Sequence, residues 1–254
     1  MDCLYRISMK FLNKMIISVG VLGSILGNAF SGELTVELPI SGATYNYEKP
    51  SRLEHVLNDV NMSGLGSYFS LAAQLFALNE DGTIEAHKEK VFRQLSIYSA
   101  SNPDARFLLK QLKDQKFSYR VFIDLNRNVV ISQLQHNPQL SGHFALYLKE
   151  RPQFVELFGA IKDSHQLPVI EGGQLTDYLN QLPQGEVTKS ANPSLAYVIQ
   201  PDGQVIEVPY AYWNFTPRYF APGAILFIAF DSLPSEFSTL NQDVIELLRH
   251  KVNL

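Results

Sequence analysis

Alternating and helical patterns of apolar residues occur twice along the chain in the same order. Leu34–Leu38 alternates like a half-buried strand, and Leu53–Val60 then places apolar residues at helical spacing. Residues 154–161 form a second strand candidate, and residues 175–182 carry a similar helical pattern. The recurring order of strand and helix predicts an internal duplication.

Each repeat continues with a predicted hairpin and one further strand. The hairpin strands are residues 117–125 and 129–134 in the first repeat and 195–200 and 205–212 in the second, and the further strands are 143–148 and 224–230. One helix on a small mixed sheet is the β-grasp plan, because the helix covers the apolar face of a sheet too small to cover itself. We therefore predict an α+β fold with two tandem β-grasp domains that resemble soluble-ligand-binding β-grasp domains.

Two segments fall outside the duplication. Residues 66–116 are predicted to be a helical insertion in the first domain, where Leu71, Leu75 and Leu78 share one helical face. Residues 235–251 are predicted to be an amphipathic helix with an apolar stripe formed by Phe237, Leu240, Val244, Leu247 and Leu248. The stripe either packs on the second domain or faces a partner or a membrane surface.

The predicted organisation has four parts. Residues 1–31 form a signal peptide, 32–150 the first β-grasp domain, 151–233 the second, and 234–254 the C-terminal amphipathic helix. The signal is indicated by Lys10 and Lys14 ahead of an apolar run and small residues, with a retained anchor as the alternative.

Composition narrows the class of protein. The content of 46% hydrophobic residues excludes wholesale disorder, and the net charge of -4 offers no surface for nucleic acid. The single cysteine, Cys3, precedes the apolar run, so removal of the signal leaves no thiol. A secreted chain of this size without disulfides fits the bacterial periplasm.

Motifs for bond-breaking chemistry are missing from the sequence. It contains no G-x-S-x-G, no Walker loop, no G-x-G-x-x-G and no compact histidine spacing, so we predict no catalytic residue, no cofactor and no metal site. Paired carboxylates of a glycosidase can come from any part of a fold, and a polysaccharide hydrolase or lyase therefore stays open as the alternative.

Two features suggest binding. An aromatic cluster that includes Tyr212, Trp213 and Tyr219 could stack on sugar rings, or it could pack between domains. Arg120 begins an otherwise apolar segment, where its guanidinium could clamp an acidic sugar or pair with the inserted helices.

These segments carry a family resemblance. The YWN at residues 212–214 follows PDG at 201–203 and precedes ILFIAF at 225–230, and the terminal helix contains Leu240, Asn241 and Ile245. This combination resembles the GfcC (YjbG-like) capsule and exopolysaccharide biosynthesis family. The R-x-x-I-x-L at residues 120–125 agrees, and the resemblance covers most of the chain after the signal.

The resemblance implies a periplasmic, non-catalytic protein with two β-grasp domains, related in form to the periplasmic rings of the Wza-type outer-membrane polysaccharide exporter. It implies that Arg120 lies near a pocket. We therefore expect an accessory protein, monomeric in isolation, that binds polysaccharide or the outer-membrane export channel. Its expected binding residues are Arg120, Tyr212, Trp213, Asn214 and Tyr219, together with the stripe of the terminal helix.

Overall fold

The computed structural model describes residues 33–253, and the predicted signal peptide lies outside this range. The fold is α+β. Its strands are β1 Leu34–Leu38, β2 Ala43–Tyr47, β3 Ser51–Arg52, β4 Gln74–Ala77, β5 Arg120–Val121, β6 Gln139–Leu140, β7 Gly142–Tyr147, β8 Phe154–Gly159, β9 His165–Pro168, β10 Leu195–Ile199, β11 Val205–Pro209 and β12 Ile225–Ile228. Its α-helices are α1 Leu53–Val60, α2 Asp81–Tyr98, α3 Ala105–Lys113, α4 Arg127–Ser132, α5 Leu175–Leu179 and α6 Leu240–Arg249.

Five strands form the first sheet, in the order β2-β1-β7-β4-β5. The predicted alternation of Leu34–Leu38 is confirmed, since Leu34, Val36 and Leu38 are buried while Thr35 and Glu37 are partly exposed. These three side chains share a core with the buried face of α1. The strands β3 and β6 pair separately as a short second ribbon.

The second five-stranded sheet has the order β11-β10-β12-β8-β9. If the five strands of each sheet are numbered in chain order, both sheets have the spatial order second, first, fifth, third, fourth, with the second sheet read from its β9 edge. In both, the first and last strands of the set run parallel, and a helix follows the first hairpin. The predicted hairpin of the second repeat is confirmed as β10 and β11. Two mixed sheets of one topology account for the repeated sequence pattern.

The hairpin of the first repeat lies elsewhere than predicted. Residues 129–134 are not a strand, because Asn126 caps a helix there by accepting a hydrogen bond from the Asn128 amide at 3.0 Å. The predicted helical face of Leu71, Leu75 and Leu78 is also wrong, since Gln74–Ala77 is the strand β4. The hairpin therefore consists of β4 and β5, and α2 and α3 are inserted where the second repeat has a short turn.

The inserted helices pack on the second sheet. Buried side chains of α2 and α3, such as Leu95 and Leu108, belong to the same core as Val155 and Leu157 of β8. The Gln111 side chain fixes α3 to the end of β8, since it donates to Ile161 O at 2.7 Å and accepts from Gly159 N at 3.0 Å. The insertion thus links the two repeats, while the predicted domain boundaries stay predictions.

The terminal helix also packs on this core. The expected single helix divides into a 3₁₀ turn at Ser235–Phe237 and the longer α6. The expected partner-facing residues Phe237, Leu240, Val244, Leu247 and Leu248 are all buried, from 0% to 6% exposed, against the second sheet and α2. The structure therefore buries the apolar stripe within the chain. The alternative, in which these residues face a partner, is wrong for this structure. Within residues 33–253, no helix has the length and apolar character needed to cross a bilayer.

Candidate functional site

Arg120 lies at the point where the two repeats meet. It begins β5, is buried, and donates from Nη2 to Pro201 O at 2.5 Å. Its backbone amide donates to His250 Nδ1 at 2.9 Å. Burial lowers the pKa of Arg120 to about 10, with Asp202 opposing the shift and Arg249 adding to it, so the guanidinium is charged at neutral pH. The alternative of an ion pair with the inserted helices is not what the structure shows, because the guanidinium donates to the turn between β10 and β11.

Arg249 provides a second guanidinium that sequence reasoning missed. Its Nε donates to Gly203 O at 2.9 Å, and its guanidinium carbon lies 4.2 Å from the centre of the Phe122 ring. The guanidinium of Arg120 lies 5.4 Å from the centre of the same ring. Because these contacts join residues far apart in the chain, only the placement of Arg249 in the last turn of an amphipathic helix was visible in the sequence.

Glu246 holds Arg249 in place. Its Oε2 accepts from Arg249 Nη1 at 2.6 Å, and its Oε1 lies 3.4 Å from His250 Nε2. Hydrogen bonding by His250 and by Arg249 lowers the pKa of Glu246 to about 2, against the opposing effect of burial. The carboxylate is therefore ionised at neutral pH and keeps the Arg249 guanidinium over Phe122.

A cavity of about 680 Å³ is lined by both arginines. Its wall includes the Phe122 ring and the carboxylates of Asp124 and Asp202. Each of these carboxylates accepts a hydrogen bond from the backbone two residues later, at 2.7 Å for Asp124 and 2.9 Å for Asp202. The cavity thus combines two fixed guanidinium groups with an aromatic face, while each carboxylate is hydrogen-bonded to the backbone of its own loop.

The aromatic cluster divides into an exposed and a buried part. Tyr212, Trp213 and Tyr219 are 100%, 74% and 79% exposed. Tyr210 and Phe220 pack against the second core, so the packing alternative holds for these two rings. Phe215 on the same loop is 48% exposed, so the structure presents four exposed aromatic side chains after β11, and the three named above are the most exposed.

Asn214 shapes this loop. Its Oδ1 accepts from Ala211 N at 3.0 Å, and its Nδ2 donates to Ser194 O at 3.1 Å. These bonds fix the turn that carries Tyr212 and Trp213. Asn214 thus positions the aromatic rings, and its side-chain amide is already engaged.

The loop runs from the far end of β11 back toward the arginine cavity. The Tyr219 carbonyl accepts from Gln200 Nε2 at 2.8 Å, and Gln200 directly precedes Pro201, which binds Arg120. The five residues of β11 span about 17 Å at the usual rise of a strand, so Tyr212 and Trp213 lie roughly that far along the edge. Through Gln200, the backbone of Tyr219 is therefore connected to the residue that precedes the Arg120 partner Pro201. Within the described range 33–253, no group of three or more His, Cys, Asp or Glu residues is arranged to hold a metal ion.

Comparison with known proteins gives two family matches. Residues 32–151 match the model described as capsule biosynthesis GfcC, N-terminal, and residues 163–253 match the model of the GfcC C-terminal part. The chain is also 31% identical over 147 residues to the uncharacterized protein YjbG of Escherichia coli (strain K12). That alignment covers 57% of this chain and 59% of YjbG, which is less than two thirds of the relative.

Proposed function

Because this chain belongs to the GfcC capsule biosynthesis family, we propose that it is a periplasmic, non-catalytic accessory protein of capsule or exopolysaccharide assembly and export. It would bind the polysaccharide along the edge of its second sheet and present it to the outer-membrane export channel. The periplasmic location rests on the N-terminal sequence pattern, and the role rests on the family and on the surface described above.

The exposed aromatic loop is the observation that carries this proposal. Tyr212, Trp213 and Tyr219 leave most of their ring surface in water, although large apolar rings gain free energy when they are covered. Rings of this kind can stack on the apolar faces of sugars, while a phenol or indole tip bonds to hydroxyl groups. A row of such rings suits an extended chain of sugars.

The neighbouring cavity favours an acidic sugar over a neutral one. Arg120 and Arg249 bind the carbonyls of Pro201 and Gly203, and Arg249 also donates to Glu246. Each guanidinium has five N–H donors, so both keep further donors. Guanidinium groups bind carboxylates through two parallel hydrogen bonds. A polysaccharide stacked on Tyr219 would reach this cavity, because the Tyr219 carbonyl is bonded to Gln200 beside Pro201.

The β-grasp identity of the two repeats is also part of this proposal. We infer that each sheet with its helix is a β-grasp unit, because the two strand orders agree and α1 and α5 occupy equivalent positions after the first hairpin. The non-catalytic role is proposed because the sequence carries no G-x-S-x-G, Walker loop or G-x-G-x-x-G motif.

Alanine substitution of Trp213 tests the proposal. Calorimetric titration with oligosaccharides of the producing organism's own polysaccharide is expected to show binding to the wild type. Trp213→Ala should weaken it about fivefold, which corresponds to the loss of roughly one aromatic contact. Ile97→Ala is the matched control, because Ile97 is 58% exposed on α2 and lies outside the loop.

Two outcomes would contradict the proposal. One is unchanged binding when Tyr212, Trp213 and Tyr219 are each replaced by alanine. The other is release of reducing ends from the polysaccharide by the purified protein, with turnover that disappears in Asp124→Asn or Asp202→Asn. The second result would establish a polysaccharide-cleaving enzyme.

A further inference from the structure

A second cavity, of about 700 Å³, lies between the two sheets and shares no lining residue with the arginine cavity. Its volume is within the usual range for small-molecule sites. The apolar part of its wall is formed by Leu38, Ile40, Leu65, Leu146, Leu148 and Phe154, and Ser41, Ser67 and Asn253 are among its polar lining residues. The apolar part of the wall is extensive enough to bury an alkyl chain, which a sugar does not provide.

Charged groups in the cavity are unevenly paired. Glu156 lines the wall and forms an ion pair of 3.0 Å with Lys251, and both side chains are buried. Lys149 also lines the wall, is half-buried, and takes part in no ion pair within residues 33–253. Burial and the nearby Lys251 lower the pKa of Lys149, while Glu156 opposes this shift. Glu150 is the remaining charged group of the lining, and it is exposed to solvent.

Among the charged groups withdrawn from solvent, the ammonium groups of Lys149 and Lys251 face the one carboxylate of Glu156, while the Glu150 carboxylate lies in solvent. Two ammonium groups share the single buried carboxylate, and a partly desolvated ammonium without an anion is costly. An anionic group at Lys149 would offset that cost, and an alkyl chain would displace water from the leucine-lined wall. Ile40 is 54% exposed at the turn after β1, which leaves a way into the cavity from solvent.

We propose that this cavity binds a single-chain amphiphile with an anionic head group, with the head at Lys149 and the chain among the aliphatic side chains. Phosphate and carboxylate heads share the required chemistry. The inference does not depend on the polysaccharide surface, because the two sites use different residues.

Titration with short amphiphiles below their micelle-forming concentration tests the inference on the full-length protein. Decyl phosphate and decanoate are expected to bind the wild type, and inorganic phosphate alone is expected not to bind. Lys149→Gln should weaken decyl phosphate about fivefold, as expected for the loss of one partly buried charge-assisted contact, and should leave 1-decanol unchanged. Lys162→Gln is the matched control, because Lys162 is exposed and lies outside the cavity.

Ile40→Glu provides a second variant at an exposed position that is expected to fold normally. A carboxylate at the rim should weaken decyl phosphate and decanoate alike by repulsion. The inference is overturned if the wild type does not bind decyl phosphate, if Lys149→Gln leaves its affinity unchanged, or if inorganic phosphate binds equally well. Trp213→Ala should leave amphiphile binding intact, so failure here and failure of the polysaccharide proposal are distinguishable.

Discussion

Gly203 is a single residue at which the two repeats are in contact. Its φ of 92° lies in the left-handed region, and a Cβ built on it would overlap the Phe122 ring. Its carbonyl accepts from Arg249, and the carbonyl of Pro201, two positions earlier, accepts from Arg120. The arginine cavity therefore depends on a turn that strongly favours glycine.

Gly203→Ala is expected to destabilise the protein more than Gly172→Ala. Both glycines have positive φ, but nothing lies within 4 Å of a Cβ at Gly172. The backbone strain costs about 1 kcal/mol at either position, and the overlap with Phe122 adds about 1–3 kcal/mol at Gly203. Urea unfolding measures both free energies. Equal losses for the two variants would show that Phe122 moves aside freely.

The terminal helix shows what an element's pattern does and does not determine. Its apolar stripe was visible in the sequence, but the surface that covers the stripe was not. Leu240 and Leu248 belong to the same core as Leu95 and Leu157, which lie in segments far away in the chain. Periodicity predicts that a helix has an apolar face, whereas tertiary packing selects what that face contacts.

Leu248→Ala is expected to lower the free energy of unfolding by about 2–5 kcal/mol, because it opens a cavity in a closed core. Gln242→Ala is the control, since Gln242 is exposed on the opposite side of α6. Chemical denaturation measures both.

Deletion of the residues after Pro234 should unfold the second sheet for the same reason. A truncated protein that keeps its native circular dichroism would show that α6 is dispensable.

Strands with clear alternation, a turn signal or a continuous apolar run were predictable, as in β8 and β12, whereas β4 was not. Leu34–Leu38 alternates because one face is partly exposed, and the turn at Pro201–Gly203 marks the hairpin of the second repeat. In β4 the residues Gln74, Leu75 and Phe76 are all buried, so no period of two exists to read. The exposed rings of the candidate site were found by composition, while Arg249 was missed because its contacts form only on folding.

At the scale of the whole molecule, the last residues of the described chain connect the two sheets. Lys251 Nζ pairs with Glu156 of β8 at 3.0 Å, and the Lys251 carbonyl accepts from Gln74 of β4 at 3.1 Å. Asn253 N donates to the same glutamine side chain at 3.0 Å. The segment thus holds β4 and β8 together from within the structure.

Lys251→Met is expected to lower the free energy of unfolding by about 3–5 kcal/mol, because the Glu156 carboxylate would stay buried without a partner. Combining it with Glu156→Leu should recover much of this loss, since two apolar side chains replace the pair. The exposed pair of Lys110 and Asp163 provides the control, and its removal should have no measurable effect. Thermal unfolding of these three variants and the wild type measures the effects, and an unchanged stability of Lys251→Met would contradict the prediction.

Trp213 gives the molecule an optical property of practical use. It is the single tryptophan of the sequence, and it is 74% exposed on the aromatic loop rather than in either core. Its fluorescence therefore reports the solvent exposure of the loop, and unfolding of the cores alone will change its emission little. A blue shift or protection from iodide quenching would mark coverage of that ring directly, without any attached dye.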